Sequence, residues 1–222
     1  MKSLTTGIAA LALLGCATIA QAHYLWIERD GPAVSAYFGE WGDDVVEHDG
    51  ERGLLKAIAS PRAFLADGSE LEIRREYDHL AIEGAGPKAD VRLAEEVVHR
   101  GTLVKYWIRG GRGETAAAMD LELVPTEPGG RRFELRFRGA PLERVEVTVM
   151  APPKWEKTWH TDDLGRVTIG TPWAGQYVIK ALYDEAGSGE LDGKPYTKIT
   201  HFTTLSFQVE QGIHWTLPKK RP

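Results

Sequence analysis

His23 stands directly after Ala20-Gln21-Ala22, and this adjacency is the sharpest chemical signal in the sequence. A small-x-small tripeptide closing a short apolar run is the pattern of an export cleavage site. A cut after Ala22 would make His23 the first residue of the mature chain. Its free α-amine and its imidazole could then chelate one metal ion together. A second histidine would complete a histidine brace, a nitrogen set that suits Cu(II) and also Ni(II) and Zn(II). The amine must be deprotonated to bind, so affinity should fall in acid. The third mature residue would be Leu25 and not histidine. A free-standing square-planar site built from backbone amides is therefore not expected, and partners must come from elsewhere in the fold. The plain alternative is that His23 merely follows a cleavage site.

The remaining histidines are His48, His79, His99, His160, His201 and His214. None forms H-x-H, H-x-x-x-H or H-E-x-x-H, so no zinc site is local in sequence. His201, just before the last strong strand signal, is the first candidate partner for His23, and His99 is the second. Each also reads as a surface or hydrogen-bonded histidine. Glu40 is the best oxygen ligand in an acidic stretch that holds Glu40, Asp43, Asp44, Glu47, Asp49 and Glu51 around His48. The competing reading is a solvated acidic loop. Its spacing does not match a calcium-binding EF-hand loop. Beyond residue 22 the methionines are Met119 and Met150, too few for a methionine-lined Cu(I) carrier. There is no Gly-x-Ser-x-Gly elbow and no phosphate-binding glycine loop, so nothing points to hydrolysis.

The leader that would expose His23 runs over residues 1–22. Lys2 supplies its charge, and Gly7 to Ala20 its apolar run, too short to span a bilayer comfortably. This predicts an exported, periplasmic protein. A rival pattern lies inside it: Leu13-Leu14-Gly15-Cys16 reads as a lipobox, which would anchor a lipidated Cys16. Cys16 is the only cysteine. Cleavage after Ala22 leaves no thiol, hence no disulfide, thiolate metal site or cysteine nucleophile. With 222 residues, 42% hydrophobic, 27% charged and a net charge of −5, the chain has ordinary globular composition and is a poor candidate for nucleic-acid binding.

The elements that must position these residues are strands. Tyr24 to Ile27, Ala33 to Phe38, Leu71 to Arg74 and Leu103 to Ile108 carry strand signatures, while Val91 to Val98 fits either a helix turn or a strand. Val124-Pro125-Thr126-Glu127-Pro128-Gly129-Gly130 reads as an inter-domain linker. Beyond it Phe133, Leu135 and Phe137 alternate with charged residues, and Val145, Val147 and Val149 alternate with Glu146 and Thr148. Val167 to Ile169, Tyr177 to Ala181 and Thr203 to Val209 continue the series. The expectation is an all-β chain of two immunoglobulin-like β-sandwich domains, 23–124 and 131–210, followed by a tail over 211–222.

Two resemblances add to this. Arg138-Gly139-Ala140-Pro141-Leu142 before Val145 to Val149, then Thr161-Asp162-Asp163-Leu164-Gly165-Arg166-Val167 and Ala174-Gly175-Gln176-Tyr177-Val178-Ile179, resemble a transthyretin-like or carboxypeptidase-regulatory module. Such a module implies fold, not function. Ala22-His23-Tyr24-Leu25-Trp26-Ile27-Glu28, Tyr37-Phe38-Gly39-Glu40, Leu121-Glu122-Leu123-Val124-Pro125 and His201-Phe202-Thr203-Thr204-Leu205-Ser206-Phe207, in that order, resemble the NikM-like periplasmic family. That resemblance implies an accessory role in nickel or cobalt uptake, with an inner-membrane metal transporter as partner. Ligand chemistry places copper beside nickel and cobalt. A histidine-brace copper enzyme with an oxidative activity is a second reading, and a non-catalytic immunoglobulin-like binding module a third.

Overall fold

The computed structural model describes residues 23–216. The predicted leader, its cleavage site, Cys16 and the last residues of the tail lie outside that range. In chain order the strands are β1 (Tyr24–Asp30), β2 (Ala33–Glu40), β3 (Val45–Val46), β4 (Arg62–Phe64), β5 (Glu70–Arg75), β6 (Leu80–Glu83), β7 (Val91–His99), β8 (Thr102–Gly110) and β9 (Leu121–Pro125). They continue as β10 (Arg132–Phe137), β11 (Ala140–Pro141), β12 (Glu146–Met150), β13 (Glu156–His160), β14 (Arg166–Thr168), β15 (Trp173–Glu185), β16 (Gly189–Leu191), β17 (Lys194–Tyr196), β18 (Lys198–Val209) and β19 (Ile213–His214). Helical structure among the described residues is confined to two 3-10 turns, Trp41–Asp43 and Leu55–Ala57.

The chain is all-β, and its sheets stack as two sandwich halves that share a layer. In the first half β1, β2, β6 and β5 form one layer. β5 also pairs with β4, which pairs with β7, so the sheet turns over into the second layer. The two layers enclose Leu25, Ile27, Ala36, Leu80, Leu93 and Ile108, each nearly or wholly excluded from solvent. The second half lays the four-stranded sheet of β9, β10, β11 and β14 over β12, β15 and β18. Phe133, Leu135, Val147, Tyr177, Leu205 and Phe207 fill that core. Apolar burial at both sites supplies the main drive to fold.

The shared layer is continuous because β8 and β18 pair in parallel from Thr102↔Lys198 to Gly110↔Ser206. Period-2 alternation then gives each half one face of these strands. Tyr106, Ile108 and Phe202 face the first core; Trp107, Leu205 and Phe207 face the second.

The predicted linker is corrected here. Val124 and Pro125 end β9, which pairs with β10 from Phe137↔Leu121 to Phe133↔Pro125. Pro128, Gly129 and Gly130 after them lie in the turn of a hairpin inside the second half, which therefore begins at β9 rather than at residue 131. Val91 to Val98, ambiguous in sequence, is the strand β7.

Candidate metal centre

His23 sits at the entry to β1, and the fold holds that strand firmly. Its pairing with β2 runs from Tyr24↔Gly39 to Asp30↔Ala33. Among the described residues no strand pairs with its other edge. There the hydroxyls of β18 take over the task of a partner strand: Thr204 donates to the Leu25 carbonyl at 2.7 Å and Ser206 to that of Ile27 at 2.6 Å. Such bonds satisfy an edge that would otherwise bury unpaired groups. The Tyr106 hydroxyl donates to the His23 carbonyl at 3.3 Å. Burial and the nearby Glu95 charge push that phenol up to about 12, so it remains a neutral donor at ordinary pH.

Glu40 ends β2, one residue past the partner of Tyr24, and so comes level with His23. Glu47 returns by a tight loop. The chain turns through Trp41–Asp43, passes Asp44 in the left-handed region at φ 57°, and pairs β3 back onto Gly39 and Glu40. The Glu47 amide then donates to the Phe38 carbonyl at 2.8 Å. Only glycine fits at 39: a Cβ there would lie 2.2 Å from the Val45 carbonyl oxygen. Lys154 of the second half grips the same loop, with its ammonium 3.5 Å from the Trp41 ring centroid and 2.9 Å from Asp44 Oδ1.

The result is an imidazole between two carboxylates. His23 Nδ1 lies 3.2 Å from Glu40 Oε1, and Nε2 lies 2.7 Å from Glu47 Oε1. The side chains are 25%, 18% and 15% exposed respectively. Phe38 presents its ring to the imidazole at 5.6 Å in an edge arrangement. Of the two contacts, only that to Glu47 has hydrogen-bond geometry. Among the described residues no lysine or arginine pairs with Glu40 or Glu47.

The two distances carry different chemistry. Bonds of about 2.1 Å to one ion, set at 90–109°, separate their donor atoms by roughly 3.0–3.4 Å. The Nδ1–Glu40 pair has that bite. The Nε2–Glu47 pair, at 2.7 Å, is a short charge-assisted hydrogen bond instead. Because the glutamates flank opposite edges of the ring, the three side chains do not converge. Indeed no three His, Cys, Asp or Glu side chains among the described residues are arranged to hold a metal ion. In a chain starting at His23, the freed amine would add a third donor on the Nδ1 edge.

The structure does not bring the other sequence candidates here. His201 is wholly buried on the opposite face of the shared layer, among Trp107, Phe137 and Tyr183. Trp107 Nε1 donates to its Nδ1 at 3.0 Å, and its Nε2 meets Glu185 Oε2 at 2.9 Å. Indole nitrogen is a donor only, so Nδ1 must accept and Nε2 must carry the proton. Both nitrogens are committed, and the expected partnership with His23 is replaced by this internal one. His99 is exposed at the tip of the β7–β8 hairpin, four residues past Glu95, the cross-strand partner of Tyr106. That is about 13 Å along the strand.

Of the acidic stretch, Glu40 and Glu47 alone meet His23. Asp44 pairs with Lys154 and Asp49 with Arg75. Glu47 is the residue that sequence reasoning left undistinguished among its neighbours. Its only signal is the Tyr-Phe-Gly-Glu end of β2, whose glycine allows the following loop to close. Clefts of about 400 Å³ beside Glu95 and Trp107, and about 500 Å³ beside Met119 and Arg138, lie away from His23. No protein-family model matches the chain, and no curated protein matches it.

Proposed function

We propose that the protein is an exported, periplasmic metal-binding accessory for transition-metal uptake, holding one divalent ion at His23. The observation that carries this reading is the 3.2 Å approach of His23 Nδ1 to Glu40, a metal-sized bite with no lysine or arginine paired to that carboxylate among the described residues. Processing after Ala22 adds the α-amine, giving one amine, one imidazole and one carboxylate donor. The amine and Nδ1 close a chelate within a single residue, so little further chain ordering is needed. A set of borderline nitrogen and hard oxygen donors, with no sulfur, favours Ni(II), Co(II), Cu(II) or Zn(II) over Cu(I). The motif resemblance to the NikM-like family supports nickel or cobalt as the physiological cargo, handed to an inner-membrane transporter.

Calorimetry tests the reading on two forms of the chain, one starting at His23 and one carrying a single extra residue before it. Ni(II), Co(II), Cu(II) and Zn(II) are each titrated. One ion should bind per chain, and the extension should weaken it at least about tenfold, because the imidazole persists while the amine is lost. Equal affinity in both forms would remove the amine from the site and overturn the proposal.

A further inference from the structure

We infer that Glu47 assigns the roles of the two His23 nitrogens, holding the ring as the Nε2–H tautomer and so presenting the Nδ1 lone pair to the cation. The inference deepens the metal-binding reading and rests on it for its functional meaning, although the tautomer itself is a property of the metal-free chain.

A neutral imidazole has one N–H, and here two carboxylates compete for it. Glu47 accepts at 2.7 Å with hydrogen-bond geometry, whereas Glu40 lies at 3.2 Å without it. The proton therefore belongs on Nε2. This leaves Nδ1 and the Glu40 oxygen facing each other as two acceptors, an arrangement relieved by a positive ion between them. The same choice selects the nitrogen that can chelate. Nδ1 closes a six-membered ring with the residue's own amine; Nε2, on the far edge, cannot. Ligating histidines commonly give their other N–H to a carboxylate, which fixes ring orientation and raises donor strength.

Glu47 is itself held in place. Its second oxygen accepts from the Leu54 amide at 3.0 Å, and its own amide is bound to Phe38. It is a positioning residue and not a ligand: its carboxylate is on the wrong edge of the ring to share an ion with Nδ1.

The test uses the chain that begins at His23, with Glu47→Leu and Glu47→Gln variants. Nitrogen-15 NMR of the His23 ring in metal-free protein, at about pH 8.5 and so above the ordinary imidazole range, reads the tautomer. The His23 signals are assigned by their loss in His23→Ala. The native chain should show Nε2–H. Glu47→Gln keeps an oxygen acceptor and should keep that tautomer. Glu47→Leu should move the proton to Nδ1, where Glu40 holds it, and should weaken Ni(II) and Cu(II) binding about 10–100-fold. A native ring protonated on Nδ1, or a leucine variant with an unchanged tautomer, would overturn the inference. An Nε2–H ring that responds to Glu47 in a chain taking up no metal would sustain the tautomer assignment and overturn the metal-binding reading instead.

Discussion

Two clusters of charge in this molecule are built from the same kinds of groups and finished differently. Between the halves, Arg92, Arg109, Glu122 and Asp90 have side chains at most 3% exposed. Every charge there is answered. Glu122 Oε1 accepts from Arg109 at 2.8 Å and Arg92 at 3.2 Å, and its Oε2 accepts from the amides of Ala118 and Met119. Asp90 takes Arg109 at 2.6 Å and the amides of Gly113 and Glu114. At the entry to β1, by contrast, Glu40 and Glu47 share one imidazole and, among the described residues, no guanidinium. A buried ion pair survives only when its partners and hydrogen bonds are complete. A carboxylate pair whose side chains keep 18% and 15% of their surface open can remain incomplete because water still reaches it. The first cluster fixes the junction; the second leaves two carboxylates with no lysine or arginine paired to them among the described residues.

The comparison is broken most severely by removing the acid at the centre of the buried cluster. Glu122→Leu should strand two guanidiniums without their common acceptor and destabilise the fold by about 3–5 kcal/mol, read by urea unfolding. Metal affinity of any folded fraction should not change. His201→Leu should come next. It frees the Trp107 N–H and removes one partner of Glu185, at a cost of about 2–3 kcal/mol, yet should leave metal affinity intact because the shared layer separates the two histidines. Glu40→Gln should do the reverse. Stability should stay within about 0.5 kcal/mol, while Ni(II) or Cu(II) affinity in the chain beginning at His23 drops at least about tenfold by calorimetry. The smallest effect concerns Glu185. Hydrogen bonds from Arg138 and then His201 hold its carboxyl down at about 2, against 4.5 ordinarily. A depressed acid stabilises the fold above its unfolded pKa and loses that contribution as pH falls through the folded value. Thermal melts should therefore show a shallow loss between about pH 4.5 and 2, flattened in Glu185→Gln.

How much of this was readable from sequence depended on whether a signal was local. Phe133, Leu135 and Phe137 alternate with charges because β10 has one buried face, and that strand was evident. β7 was ambiguous because both its faces are covered: Arg92 and Val91 are both buried, so no alternation survives. The stretch from Val124 to Gly130 looked like a boundary because its prolines and glycines interrupt a pattern, and a hairpin turn interrupts it in the same way. What distinguishes the two is whether β9 finds β10, a fact of pairing that composition does not carry. Likewise His201 and His23 looked like partners until register put them on opposite faces of β18. His23 and Glu40, which the fold brings to 3.2 Å, stood out in sequence because each lies beside a punctuating motif. Glu47 was one acid among several until the close approach at Gly39 selected it.

The grip of β18 on β1 also sets an order of events in time. Thr204 and Ser206 reach the carbonyls of Leu25 and Ile27 across a separation of 179 residues in the chain. Contacts so distant in sequence close late and make folding slow. β1, the first described strand, must wait for β18, near the end of the described chain, before its outer edge is satisfied. Until then β1 stays unlatched from the shared layer, joined to the fold through its pairing with β2.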